Sequence, residues 1–506
     1  MGKNISKRRI RYGTISLLLC VLVLAALIIV NVIAAALSLR YEWMYQGIGR
    51  PEVYEVSDTA REYIEAQVAP IVDKQGGSIK VIFCNTRDSI RSNELYKYVY
   101  DSFYEIAGLF PEMIEIEHLD VFEQPKLAQK YGVETVNNVI FVYGDRHETL
   151  DLGDFYSYKT VNYESVVTAY QGELLIASAL MRVTQKDMPM CYLTVNHGEE
   201  FSDHELIKVI AQAGYTVKMI DLYADEIPDD CEILVTFNPK KDFAVSNETS
   251  EVSEIARLEE FMSNGGKYMV FFSADTFASG GFENIEGFLS AWGVNYMHKT
   301  TNEGVEACYL VKDSANSLTG DGYTVVGRPN PQTAVGAISA SVSFGNTTYI
   351  SASEGFAPDE SGNYTSADNV RKLSPLFLAS STAVAWADGR AVARASEENF
   401  ILMSMTEQSC QNGEKSYLLA SASVDFASGD AMQSATLGNG RAIGEVLRYM
   451  GKEDAPSMLV AKPMGQTDIA TLTTNDASII TVVMVALPAV VITVTGLVVI
   501  VRRKNR

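Results

Sequence analysis

Two uncharged apolar runs, Ile15 to Leu39 and Ser478 to Val501, bracket a long middle in which apolar and polar positions recur at shorter periods. Each run is long enough to cross a hydrocarbon core of about 30 Å as a helix. A cleaved leader has an apolar region of roughly 7–15 residues, so the first run reads as an uncleaved anchor. Pro488 and Gly496 are tolerated inside spanning helices. Basic residues stand directly beside both runs: Lys3, Lys7, Arg8, Arg9 and Arg11 before the first, and Arg502, Arg503, Lys504 and Arg506 after the second. Because basic residues prefer the cytoplasmic side, the pattern predicts two transmembrane helices in the lipid bilayer, 15–39 and 478–501. The tails 1–14 and 502–506 are then cytoplasmic, and residues 40–477 are outside.

Within the middle, 40–75 reads as a stalk with a first amphipathic element. In 76–185 the periods switch in a regular order. Ser78 to Cys84 is a strand, and Asn93 to Leu109 a helix with Leu95, Tyr98 or Val99, Phe103 and Ile106 at 3–4-residue spacing. Met113 to Leu119 alternates apolar and acidic positions as a half-exposed strand does. Pro125 to Tyr131 is a short helix stopped by Gly132, and Val139 to Tyr143 is a strand ending in the hairpin signal Gly144-Asp145. This order, with Lys130-Tyr131-Gly132-Val133 before an apolar strand, resembles a thioredoxin-like fold. Arg87 stands where a second cysteine would follow Cys84, and Asn137-Asn138 where such folds carry a proline, so the resemblance implies a domain without the redox pair.

The helical stretch Gly172 to Val183 leads to a second region, 186–455. Its first strand, Met190 to Val195, breaks into Asn196-His197-Gly198-Glu199-Glu200. Ser202 to Glu205 has capping-box spacing, Leu206, Val209, Ile210 and Ala213 line one helix face, and Gly214 ends the helix. Strands Tyr215–Leu222, Cys231–Phe237 and Lys267–Phe272 then alternate with helices Glu254–Met262 and Glu283–Trp292. That alternation predicts an α/β domain with a mostly parallel, doubly wound sheet. Residues 300–400 turn Gly/Ser/Thr-rich with short strands, as a β-rich insertion would. Ser416 to Phe426 and the helix Asn439 to Met450 return to the sheet, and 456–477 is a tether.

Charge narrows the partners. The net charge is −22, but nine of the 41 basic residues lie in the two tails, leaving 32 against 63 acids between them. Nucleic acid requires the opposite sign. The six cysteines (Cys20, Cys84, Cys191, Cys231, Cys308, Cys410) form no C-x-x-C pair. There is no G-x-x-x-x-G-K-[ST] loop for ATP and no G-x-S-x-G elbow, and Lys208 occupies the place of the second histidine after His204-Glu205. No cofactor and no metal are expected; a His197–His204 metal pair is the weaker alternative.

His197, Gly198 and Glu199 are the leading ligand-binding candidates. They stand at a strand's carboxyl end beside a helix start, where α/β sheets hold ligands. The alternative is that Gly198 shapes the turn while His197 and Glu199 only close its hydrogen bonds. Ser273 and Asp275 follow one strand and Asp425 another, facing the same crevice or serving as helix caps. The acidic turn Asp225 to Asp230 reads as a solvated loop or a cation site. Asn247, Asn346 and Asn363 are N-x-S/T positions.

Taken in order, the helix Gly172–Thr184, Tyr192-Leu-Thr-Val-Asn-His-Gly-Glu199, Gly214-Tyr215, Ile227-Pro228, Leu258 to Gly266, Ser423-Val-Asp-Phe426 and the two terminal apolar runs resemble one family across nearly the whole chain. It is the auxiliary component of gliding-motility-type ABC transporters. The resemblance implies a thioredoxin-like smaller domain and a larger, class I glutamine-amidotransferase-like domain. It also implies an accessory subunit working with a separate permease and a separate ATPase. An amidotransferase needs a cysteine on a strand-to-helix elbow with a histidine partner. The corresponding elbow here reads Phe272-Ser273-Ala274-Asp275, so a non-catalytic recognition subunit is expected. An ectoenzyme using the His197/Glu199 crevice is the rival reading.

Overall fold

The computed structural model describes residues 55–464, apart from 134, 162–163, 200–204, 247–250, 280, 301–305 and 435. The chain divides into two units, 1–52 and 53–506, and the described residues belong to the second. They form a mixed α/β body with several sheets. Among the described residues no helix is long and apolar enough to cross a membrane. This corrects the expected two-pass topology. The two runs that carried it, 15–39 and 478–501, lie outside the described residues, as do both basic tails.

The first sheet has four strands: β1 (Ile79–Phe83), β2 (Ile114–His118), β3 (Asn138–Tyr143) and β4 (Arg146–Asp151). Their order is β2-β1-β3-β4, with β2 parallel to β1 and the other pairs antiparallel. Gly144, at φ +64°, makes the tight β3–β4 turn. Helix Glu94–Leu109 is amphipathic and capped by Asn93, whose side chain accepts from the amides of Leu95 and Tyr96. It buries Val99, Phe103 and Ile106 against Phe83 and Phe141, and helix Gly172–Thr184 adds Ile176, Ala179 and Leu180 to the same core. Residues 58–75, read as part of a stalk, are helical and insert Ile64, Val68 and Val72 into that core. A hairpin follows β4, β5 (Tyr156–Val161) with β6 (Glu164–Tyr170), and Lys462–Pro463 pairs with β6 from the far end of the chain.

The main sheet is built from β7 (Met190–Thr194), β8 (Thr216–Ile220), β9 (Cys231–Phe237), β10 (Lys267–Phe271) and the strand Lys415–Ser421, all parallel, in the order β8-β7-β9-β10-(415–421). Both faces are covered, so these strands read as continuous apolar runs rather than alternating ones. Leu193, Ile233, Val235, Met269 and Leu419 meet helices Glu205–Gln212 and Asn439–Tyr449 on one side. Tyr192, Leu234, Tyr268, Val270 and Leu418 meet helices Glu254–Ser263 and Glu283–Ala291 on the other.

The remainder of the sheet differs from the expectation. Strands Ile401–Ser409, Arg371–Leu378, Val325–Pro329 and Val342–Phe344 continue it antiparallel, so it is half parallel and half antiparallel. Part of the Gly/Ser/Thr-rich region thus extends the main sheet, while His298–Thr300 with Glu306–Cys308, and Leu310–Lys312 with Val384–Ala387 and Arg390–Arg394, form two small sheets of their own.

Candidate functional site

In sequence order the five parallel strands run 2-1-3-4-5 across the sheet, so the order reverses between β7 and β9. In open α/β sheets the ligand crevice lies outside the carboxyl ends of the strands at that reversal. The loops there are 195–199 after β7 and 238–244 after β9. Asn196 and Gly198 take positive φ, +82° and +81°, a region open to Asn and Gly and strained for most other residues. The two bends turn His197 inward, and its carbonyl accepts from the Lys240 amide at 2.7 Å.

The crevice is filled by the protein's own side chains. His197 is 5% exposed, and both ring nitrogens donate to carboxylates: Nδ1 to Glu199 Oε1 at 3.0 Å and Nε2 to Glu254 Oε1 at 3.1 Å. The ring stacks on Phe243, with centroids 4.0 Å apart and planes 10° from parallel. Glu199 also accepts from the His197 amide (2.7 Å) and from Thr194 Oγ1 (2.9 Å). Thr194 continues through Thr236 to the buried hydroxyl of Tyr268. Glu254 closes the other end by accepting from the Ala244 amide at 2.7 Å.

Burial opposes charge on His197, but the hydrogen bonds to Glu199 and Glu254 and their negative charges outweigh it and raise the imidazole to about 9. For Glu199, burial alone would raise the carboxyl; the contacts with His197 and Thr194 and a backbone hydrogen bond overcome that and hold it low. The group is thus an imidazolium clasped between two carboxylates. The ring lies between the carboxylates, so the three side chains do not converge on one point as metal ligands would. Among the described residues no group of three or more His, Cys, Asp or Glu side chains has an arrangement that could hold a metal ion. A ring with both nitrogens engaged and one face covered cannot take a proton from a substrate without dismantling the clasp.

The other candidates sit at neighbouring strand ends. The Ser273 amide donates to Thr276 Oγ1, which donates to Asn238 Oδ1. Asp275 is exposed. Asp425 is exposed and accepts from Asn346 Nδ2 at 2.7 Å, bracing the turn at Asn346, whose φ is +43°. Asn363 is buried, and Asn247, His204 and the Ser202–Glu205 cap fall outside the described residues or at their edge. In the acidic turn, Asp230 accepts from Tyr192. Sequence reading missed Glu254, Phe243, Thr194, Thr236 and Tyr268. Glu254 stands 57 positions from His197, and nothing in its local pattern distinguishes it from an ordinary first-turn glutamate.

No protein-family model and no curated relative matches the chain. Among solved structures it is similar to the mmIFT52 N-terminal domain (12% identity, 51% of this chain and 96% of that one, TM-score 0.34). It is also similar to a cytoplasmic protein from Salmonella typhimurium (9% identity, 54% and 100%, TM-score 0.28) and to PurLQS from Thermotoga maritima (12% identity, 54% and 95%, TM-score 0.22). These scores are too low to carry a fold or an activity over to this chain.

Proposed function

We propose that the chain is a non-catalytic accessory subunit of an ABC transport assembly, working with a separate permease and a separate ATPase. The observation that carries the non-catalytic half is the clasp at the sheet's reversal point. Glu199, His197, Glu254 and Phe243 occupy the place where an α/β enzyme of this strand order would seat its substrate. The thiols agree with it: burial pushes Cys84 up to about 11 and Cys231 up to about 12, far from the depressed values of nucleophilic cysteines.

The transport half rests on the ordered set of sequence segments shared with the gliding-motility-type auxiliary component. The β2-β1-β3-β4 sheet, with its one parallel pair and helix Gly172–Thr184 after it, supports reading the smaller domain as thioredoxin-like. The parallel half of the main sheet supports reading the larger one as amidotransferase-like with its catalytic cysteine absent.

Affinity purification of the full-length chain under mild conditions, followed by mass spectrometry, tests the assignment. Co-purification of a multi-span permease and an ATPase in fixed ratio is the expected result. Repeated recovery of the chain alone would overturn it. So would an esterase or amidase activity of the purified chain that His197→Ala removes without loss of folded protein.

A further inference from the structure

A cavity of about 420 Å³ lies away from the clasp, between helix Gly172–Thr184 of the smaller domain and helices Glu205–Gln212 and Asn439–Tyr449 of the larger one. That volume falls within the roughly 300–1,000 Å³ of small-molecule sites, which are apolar with a few convergent polar groups. Its walls are mainly aliphatic, with Leu150, Leu174, Leu175, Val209, Leu437 and Val460.

Three cations line it, and two are already matched. Arg182 is 3.2 Å from Glu148 and donates to the Ala211 carbonyl; Lys208 is 2.7 Å from Glu205, with exposed Asp154 adding a further negative charge nearby. Arg441 is different. Its nearest carboxylate, Glu445, is 3.8 Å from Nε and is shared with Ser457 Oγ. The Nε atoms of Arg182 and Arg441 are both buried and without a hydrogen-bond partner among the described residues, but Arg182 Nε has the Glu148 carboxylate at 3.2 Å, whereas Arg441 Nε has none closer than 3.8 Å. A buried guanidinium donor without an acceptor costs free energy that an anion reaching it would recover through a charge-assisted bond. An ammonium group would meet repulsion there, and a polyanion would be stranded against the aliphatic walls.

We propose that this cavity binds a small amphiphile with a single anionic head, seated on Arg441, and an apolar body against Leu174, Val209 and Leu437. The proposal goes beyond the accessory-subunit reading and stands without it. Octanoate is the probe, with octanol and octylammonium as controls, titrated calorimetrically into the purified full-length chain. Saturable binding of one octanoate per chain is expected, weakened at least tenfold by Arg441→Gln, with octanol binding unchanged by that substitution. Val209→Trp, which fills the cavity, is expected to abolish binding, and it decides the matter if Arg441→Gln fails to fold by circular dichroism. Absence of saturable octanoate binding, binding that survives Val209→Trp, or octylammonium binding as tightly as octanoate would each overturn the proposal.

Discussion

His197 stacks face to face on Phe243 while donating to two carboxylates that are themselves almost wholly buried. Removing the ring therefore leaves Glu199 and Glu254 as buried charges without a counterion. Breaking a buried ion pair from one side costs on the order of 3–5 kcal/mol, whereas replacing every member by neutral groups of similar size is often close to neutral. His197→Ala is expected to lower the urea midpoint by an amount in that range. The triple change His197→Met, Glu199→Gln, Glu254→Gln is expected to recover most of the loss. A His197→Ala protein with an unchanged midpoint would show that the clasp does not hold the crevice shut.

The same clasp makes stability depend on pH. The folded-state value of about 9 lies above the ordinary histidine value of 6.5, so the contribution of His197 is complete below about 6.5 and disappears as pH rises through 9. Its size is at most on the order of 3 kcal/mol, from about 1.4 kcal/mol per pKa unit. Glu199, held low, acts in the opposite direction, and its contribution fades only in acid. Thermal melts of the wild type from pH 6 to 9.5 are expected to fall, and those of His197→Gln to stay nearly level. Parallel curves for the two proteins would remove the imidazolium from the explanation.

How much of this was legible in the chain depends on the range of each interaction. The apolar strands β1, β3, β7, β9 and β10 and the amphipathic helices between them declare themselves locally, and so does the turn at Gly198. The positive φ of Asn196, +82°, a region that Asn tolerates, was not legible and comes from the structure. The antiparallel half of the main sheet was not legible, because Val325–Pro329 and Arg371–Leu378 find their register only against strands already placed. Nor was the clasp complete in sequence: His197 and Glu199 are two positions apart, but Phe243 and Glu254 arrive from the loop and helix after β9.

Gly198 offers a local check on that turn. Its φ of +81° costs an L-residue about 1–2 kcal/mol, and an added Cβ would come within 3.1 Å of Lys240 Cβ. Gly198→Ala is expected to destabilise the protein by roughly that amount, while Asn196→Gly, which keeps the backbone conformation and loses only an exposed bond to Asp221, changes it less. Equal effects of the two substitutions in chemical denaturation would mean that the loop relaxes freely and does not fix the position of His197.

Cys84 directly follows β1 with a side chain sealed from solvent, and burial is the cause of its raised thiol. At pH 8 the thiolate fraction is then roughly a thousandth, from three units of separation. Iodoacetamide is expected to leave Cys84, Cys191 and Cys231 unmodified in the folded protein and to label all three in denaturant, read by peptide mass spectrometry. Rapid labelling of Cys84 in the native state would reopen a thiol role for the smaller domain.

Glu173 joins the two ends of the described chain. Its carboxylate accepts from the Ser57 amide at 2.8 Å and from Ser57 Oγ at 2.5 Å, and it lies 2.8 Å from Lys462 Nζ; Lys462 Nζ in turn donates to the Glu55 carbonyl at 2.7 Å. Burial would raise this carboxyl, yet the contacts with Lys462 and Ser57 hold it below the ordinary value. Because its folded value is depressed, its contribution is present above the ordinary glutamate range and fades as pH falls through the folded value. Glu173→Gln keeps the shape, loses the charge, and is expected to cost about 1–3 kcal/mol near neutral pH. The gap from wild type should narrow in acid. Hydrogen exchange separates this clasp from a purely local contact: the amides of Ala60 and Arg61 and the amide of Met464, which bonds to Thr168, should quicken together in Glu173→Gln. If only the segment after Ser57 loosens while Met464 keeps its protection, the two ends are secured independently and Glu173 is a local cap of the first helix.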